Sequence, residues 1–171
     1  MRIQTRQVAQ AVILGAIGVA LSPFTSFPIG IAKVNPTQHF VNIVGAVLLG
    51  PWWALAIAAI IGAIRNALGV GTLLAFPGGM IGAFLAGYAY RLSRNIYLGA
   101  LGEILGTGIL AALVSGWLVA PFLMHKTMAV GVLIASFLGS TIVGTVLGVL
   151  ALKVLERTGY VDLKRSADTG E

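Results

Sequence analysis

Between Lys126 and Lys153 the chain runs through residues 127–152 without a single charged side chain. The apolar run before it, 96–120, carries only one, Glu103. About 20 mostly apolar residues are what an α-helix needs to cross the hydrocarbon core of a bilayer. A chain that devotes this much of its length to such runs is short of polar side chains with which to face water. Only 9% of its 171 residues are charged and its mean hydropathy is +0.97, whereas soluble domains carry about 25% charged residues. A bilayer removes the difficulty, and helices satisfy their own backbone polar groups within it. The sequence is therefore read as an all-α integral membrane protein of the cell membrane, in which residues 1–157 form one transmembrane domain. The polar piece 158–171, YVDLKRSADTGE after Thr158 and Gly159, is read as a cytoplasmic tail without regular structure.

Apolar runs fall at 8–22, 39–50, 52–64, 76–90, 96–120 and 127–152. Gly50-Pro51 separates the second from the third, and a proline there argues for a break between two short helices. Counting them as one kinked helix gives five spans, and the distribution of basic residues decides against that. With six spans and both termini cytoplasmic, Arg2, Arg6, Arg91, Arg94, Lys153, Arg157, Lys164 and Arg165 lie inside, and Lys33, Arg65 and Lys126 lie outside. Five spans would move the C-terminal basic group outside and reverse the bias. Cytoplasmic loops carry the Lys/Arg excess, so the expected architecture is a six-transmembrane-helix bundle with N- and C-termini cytoplasmic. The short second and third helices imply local thinning of the bilayer or burial of their ends by neighbouring loops.

Several classes of function fall away. The net charge of +6 is spread singly and in pairs between apolar runs, which is the pattern of membrane-flanking anchors and not the clustered face that binds nucleic acid. There is no cysteine, and His39 and His125 are the two histidines, so thiolate chemistry is excluded and neither a metal site nor a bound cofactor is expected. Arg2 and Arg6 before an apolar run resemble a secretory leader, but Ser22-Pro23 follows without a small-x-small cleavage site. No internal repeat is visible. Small residues recur four apart, at Gly78/Gly82, Ala83/Gly87, Gly102/Gly106 and Gly144/Gly148, and such pairs let membrane helices approach closely. In the first helix, Ala11/Gly15 and Ala16/Ala20 place small residues on two faces, one for internal packing and one for a partner.

Polar side chains inside an apolar bundle are costly and usually paired or functional. The densest group is IAKVNPTQHFVNIVG at 31–45. Pro36 suits the first turn of a helix, Asn35 is placed to cap it, and Gln38 and Asn42 then share a face with His39 beside them. Lys33 lies in the preceding loop, where it can latch a lid formed by residues 23–37. Arg65-Asn66 closes the third helix on the same outer side, with Arg65 either extending its head to the interface or entering a site. Glu103, the only acid inside an apolar span, has Thr107 one turn further on. It approaches from the cytoplasmic side, so it joins the others only if a cavity reaches mid-membrane. Trp52-Trp53 suit an interfacial belt, and Trp117 suits either a belt or an aromatic wall. Amides, an imidazole, one acid and one or two cations fit a small polar heterocycle in a mostly apolar pocket.

The runs KVNPTQHFVNIVGAVLLGPWWAL, IRNALGVGTLLAFPGGMIGAFLAG and LGEILGTGIL, in that order, resemble the ThiW family. These are substrate-binding S components of energy-coupling-factor vitamin transporters. The likeness spans about residues 3–157. It implies a six-helix subunit that captures a thiamine precursor, hydroxyethylthiazole, and docks onto a transmembrane coupling subunit driven by two cytoplasmic ATPases. It also implies that small residues near the start of helix 1, here Ala11 and Gly15, face the coupling subunit. The substrate contacts expected on this reading are Lys33, Gln38, His39, Asn42, Arg65, Asn66, Glu103, Thr107 and Trp117. The chain has no G-x-x-x-x-G-K-[ST] phosphate loop and no evident acid–base relay, so uphill transport would need a partner's ATPase. Three alternatives compete: an S component for another vitamin or for thiamine itself, a self-sufficient secondary carrier, and an intramembrane serine protease built on Ser115 with His39 or His125. Ser115-Gly116 lacks the glycine two residues earlier that a rhomboid-like motif requires.

Overall fold

The structure is a computed structural model that describes residues 4–161 and 163. Helix α1 (Thr5–Thr25) leads into a β-hairpin of β1 (Phe27–Ile29) and β2 (Ala32–Val34). There follow α2 (Pro36–Leu49), α3 (Pro51–Ala67), α4 (Ala75–Ser93), α5 (Ile96–Leu123) and α6 (Val130–Arg157). Three of these, α1, α5 and α6, are long and apolar enough to cross a membrane. Helix α5 is α-helical to Leu105 and then largely π-helical, over Gly106–Ala111 and Ser115–Leu123.

The anticipated break at Gly50-Pro51 is present. Gly50 alone joins α2 to α3, with φ +90° and ψ 176°, a backbone region open essentially to glycine. Pro51 then starts α3 where no N–H is needed. Helix α2 has 14 residues and α3 has 17. At 1.5 Å per residue α2 spans roughly 21 Å, less than the bilayer core. Its shortness costs little in lipid contact because eleven of its residues are buried.

Close approach of α6 explains that burial. A Cβ on Gly144 would lie 2.0 Å from the Pro36 carbonyl oxygen, and one on Gly148 would lie 2.2 Å from Ile43 Cγ2. Glycine at these two positions lets α6 lie directly against the α2 backbone. The other expected pairs also pack: Gly87 meets Pro51, Gly102 meets Leu85, and Gly106 meets Gly82.

The loop anticipated at 23–37 is mostly ordered secondary structure. Helix α1 continues through Pro23 to Thr25, where the Ser22 and Thr25 hydroxyls donate to the Gly18 and Leu21 carbonyls. The rest folds into the antiparallel hairpin, with Phe27 opposite Val34 and Ile29 opposite Ala32. Gly30 turns the hairpin at φ +58° and sits against the Met128 side chain. The tail anticipated at 158–171 falls largely outside the described residues. Leu163, which is described, is buried, and Tyr90 Oη–H donates to its carbonyl.

Two apolar clusters fill the bundle. One gathers Leu14, Val41, Ile43, Ile57, Ile61 and Leu152 among others. The second gathers the hairpin residues Ala32 and Val34 with Leu74, Ala112, Leu133 and Phe137. Along α5 and α6 the buried polar residues fall between them: Glu103 and Thr107 on one helix, Ser140, Thr141 and Thr145 on the other. That polar layer holds the candidate site.

Candidate functional site

Asn35 organises the start of α2. Its side-chain oxygen accepts from the Gln38 amide at 2.9 Å, and its Nδ2 donates to the hydroxyls of Ser22 and Ser26. An N-cap of this kind is worth about 1 kcal/mol, and here it also ties the helix to the end of α1. The cap fixes the first turn of α2, which aims Gln38, His39 and Asn42 into the polar layer.

There they meet Glu103, which is fully buried. His39 Nδ1–H donates to Glu103 Oε1 at 2.9 Å, and Asn42 Nδ2–H donates to the same oxygen at 2.9 Å. Asn42 Nδ2 also donates to the Gly79 carbonyl and its Oδ1 accepts from Gln38 Nε2. Thr107 Oγ1 lies 2.8 Å from the Gly78 carbonyl, to which it donates, and 3.3 Å from Glu103 Oε1. All of the Glu103 contacts fall on Oε1; Oε2 is buried without a partner, so they offset only part of the cost of burying the acid. Its depth, the open question at the level of sequence, is resolved by α4: Gly82 has no Cβ, and that leaves room for Glu103 and Thr107 to reach across from α5.

Above this network lies a cavity of about 30 Å³ lined by Lys33, Asn35, Gln38, His39, Arg65, Thr107 and Ser140 with Val34, Leu74 and Phe137. The β-hairpin roofs it. Lys33 Nζ donates to the Gly69 carbonyl, and Arg65 Nη2 donates to Ser26 Oγ at 3.2 Å and to the Lys33 carbonyl at 3.3 Å. With His39 Nδ1 committed to Glu103, Nε2 is the ring nitrogen left to face the cavity. Three buried polar atoms of the lining have no partner: Gln38 Oε1, Arg65 Nε and Ser140 Oγ. Each such group costs about 1–3 kcal/mol, so the lining is poised for hydrogen bonds from outside the chain.

The anticipated residues thus divide. Lys33, Gln38, His39, Arg65 and Thr107 line the cavity, and Asn42 and Glu103 form the layer beneath it. Arg65 does not extend to the interface; it is 2% exposed. Asn66 is turned away, with Nδ2 donating to the carbonyls of Gly62 and Thr72, where it holds the α3–α4 loop. Trp117 is 64% exposed on the outside of α5 and is not part of the lining. Ser115 is buried with its hydroxyl unpartnered, so neither histidine is hydrogen-bonded to it. Among the described residues no group of three or more His, Cys, Asp or Glu could hold a metal ion. Ala11 and Gly15 line a separate apolar groove of about 420 Å³ between α1 and α3, with Val8, Val19, Ile57 and Ile60.

Two lining residues, Ser140 and Phe137, were not singled out in the sequence. The signal was present for Ser140: Ser136, Ser140, Thr141 and Thr145 interrupt an otherwise apolar span, and the polar layer runs through them.

The sequence model for the family described as thiamine-precursor transporter protein (ThiW) matches residues 8–158. The fold is similar to that of a solved S component of a bacterial ECF transporter, with a TM-score of 0.75 and 17% sequence identity over 91% of this chain and 98% of that one. No curated protein matches the chain.

Proposed function

Because the chain belongs to the ThiW thiamine-precursor transporter family, we propose that it is the substrate-binding subunit of an energy-coupled importer and that its ligand is a thiazole precursor of thiamine such as hydroxyethylthiazole. The observation that carries this reading is that Gln38, Arg65 and Ser140, each with a buried unpartnered polar atom, gather around one cavity beneath a hairpin. A small ring bearing one hydrogen-bonding substituent offers partners to such a set while its apolar edge packs on Phe137 and Leu74. His39 Nε2 faces the ring, and Asn42 with Glu103 fixes the imidazole in place.

The cavity is narrow and roofed by the hairpin, and in this proposal the hairpin lifts for loading. Lys33 and Arg65 are its polar fastenings: lifting β2 releases Lys33 from Gly69 and the Lys33 carbonyl from Arg65, and parts Ala32 and Val34 from Leu74 and Phe137. In this proposal the chain spans the membrane six times with both termini in the cytoplasm, and the hairpin faces outward. The α1–α3 groove, with Ala11 and Gly15, is the docking face for the transmembrane coupling subunit, and two cytoplasmic ATPases supply the energy.

Calorimetry on the detergent-purified chain tests the reading. Hydroxyethylthiazole binds, and His39→Ala and Asn42→Ala each weaken binding by at least about 1 kcal/mol, the net worth of a typical hydrogen bond. Unchanged affinity in both variants would remove α2 from the site and overturn the assignment.

A further inference from the structure

Arg65 carries a charge that the described protein does not balance. It is 2% exposed, and its hydrogen-bond acceptors are a serine hydroxyl and a backbone carbonyl, both neutral and both beyond 3.1 Å. Its Nε has no partner. A guanidinium does not shed its proton to escape burial, and an ionised group in an apolar bundle is normally paired with an opposite charge. Among the described residues the one ion pair is His39–Glu103. Glu103 is not part of the cavity lining, and its engaged oxygen is covered by His39 and Asn42. The other described acid, Glu156, lies in the last turn of α6. Lys33, also in the lining, adds a second cation to the same end of the cavity.

Resting on the functional reading above, we infer that the site prefers an anionic thiazole to the neutral alcohol: a small heterocycle whose substituent ends in a carboxylate or phosphate and meets Arg65. The cavity is the route by which a counter-ion reaches this side chain, because its near-complete burial keeps lipid headgroups away. Arg65 Nε–H, the buried guanidinium donor left without a partner, is the one that a carboxylate or phosphate oxygen accepts from. At the far side of the cavity, His39 Nε2 and Gln38 Oε1 meet the uncharged ring. The arrangement is asymmetric, with the Arg65 guanidinium at one end of the cavity, and it selects one orientation of a ligand charged at one end. Because Arg65 Nη2 holds Ser26 Oγ and the Lys33 carbonyl, an anion seated on Nε of the same guanidinium lies under the hairpin and draws it down.

The test is calorimetry on the full chain in detergent, in chloride-free buffer, with three 4-methylthiazoles. They carry at C5 a hydroxyethyl group, a carboxymethyl group, or the phosphate ester of the hydroxyethyl group. Charge-assisted hydrogen bonds are roughly twice as strong as neutral ones, so at least one anion binds about tenfold or more tighter than the alcohol. The two anionic arms show which oxyanion the site takes. Arg65→Gln removes the preference and Arg65→Lys keeps part of it, whereas a purely structural role would lower all three affinities in parallel. An alcohol that binds the unaltered protein as tightly as both anions overturns the inference and leaves the thiazole reading standing. Binding of none of the three overturns both.

Discussion

Replacing Gly82 by alanine adds one methyl group at the point where α4 admits the side chains of α5. The new Cβ would lie 2.0 Å from Thr107 Oγ1, 2.7 Å from Glu103 Oε2 and 3.0 Å from Glu103 Cδ, where favourable contact begins at roughly 3.5 Å. Thr107 can rotate away only by giving up the Gly78 carbonyl. Glu103 can withdraw only by giving up His39 and Asn42. Overpacking of a filled core costs about 1–3 kcal/mol. The accompanying loss of one hydrogen bond adds about 0.5–1.5 kcal/mol if it is neutral and about 1.5–3 kcal/mol if it involves the carboxylate. Gly82→Ala should therefore destabilise the bundle by about 1.5–6 kcal/mol, and it should loosen the imidazole on which ligand binding rests. Denaturant titration in detergent micelles measures the first effect and calorimetry the second. Gly139→Ala is the control: it is also helical, a Cβ there meets nothing within 4 Å, and the better helix propensity of alanine stabilises by up to about 1 kcal/mol. If Gly82→Ala behaves like Gly139→Ala in both assays, the carboxylate does not sit in the notch and the proposed network is wrong.

Gly50→Ala forces a side chain into φ +90°, ψ 176° and should cost about 1–3 kcal/mol, read as a lowered unfolding midpoint with ligand contacts intact. Asn35→Ala removes the cap of α2 and its ties to Ser22 and Ser26; a loss of about 1 kcal/mol or more should appear with faster amide exchange confined to the hairpin and the first turn of α2. Ser140→Ala deletes a buried unpartnered hydroxyl, so stability should hold or rise, by up to about 1–3 kcal/mol, while ligand affinity falls in calorimetry. A stability loss as large as that of Asn35→Ala would show that Ser140 serves the fold and not the ligand.

How much of this was legible beforehand depended on whether the signal was local. Pro36 after Asn35, and Pro51 after Gly50, are punctuation that the backbone must obey, and both helices begin where those residues require. Gly144/Gly148 also reads from spacing alone, because small residues one turn apart matter in any membrane helix. The pairing of His39 with Glu103 does not read that way, since it joins residues 64 apart through a gap left by a third helix at Gly82. The hairpin was missed because its strands are three residues each, too short for alternation to register. Asn66 and Trp117 carried the right chemistry for a binding site. The side chain of one is spent on its own loop and that of the other faces outward, which only tertiary packing decides. Arg65 shows the reverse: long aliphatic stems favour escape to an interface, yet the hairpin closes over its head.

The single-residue joint at Gly50 has a mechanical corollary. Helices α2 and α3 meet at Gly50, the first carrying His39 and Asn42 and the second Arg65 near its far end. At a distance of roughly 21 Å from the joint, each degree of change in the angle between them moves their far ends by about 0.4 Å. A force applied to the outer flank of α3, where the apolar groove lies, would reach the binding chamber with no slack to absorb it, like a hand squeezing tongs.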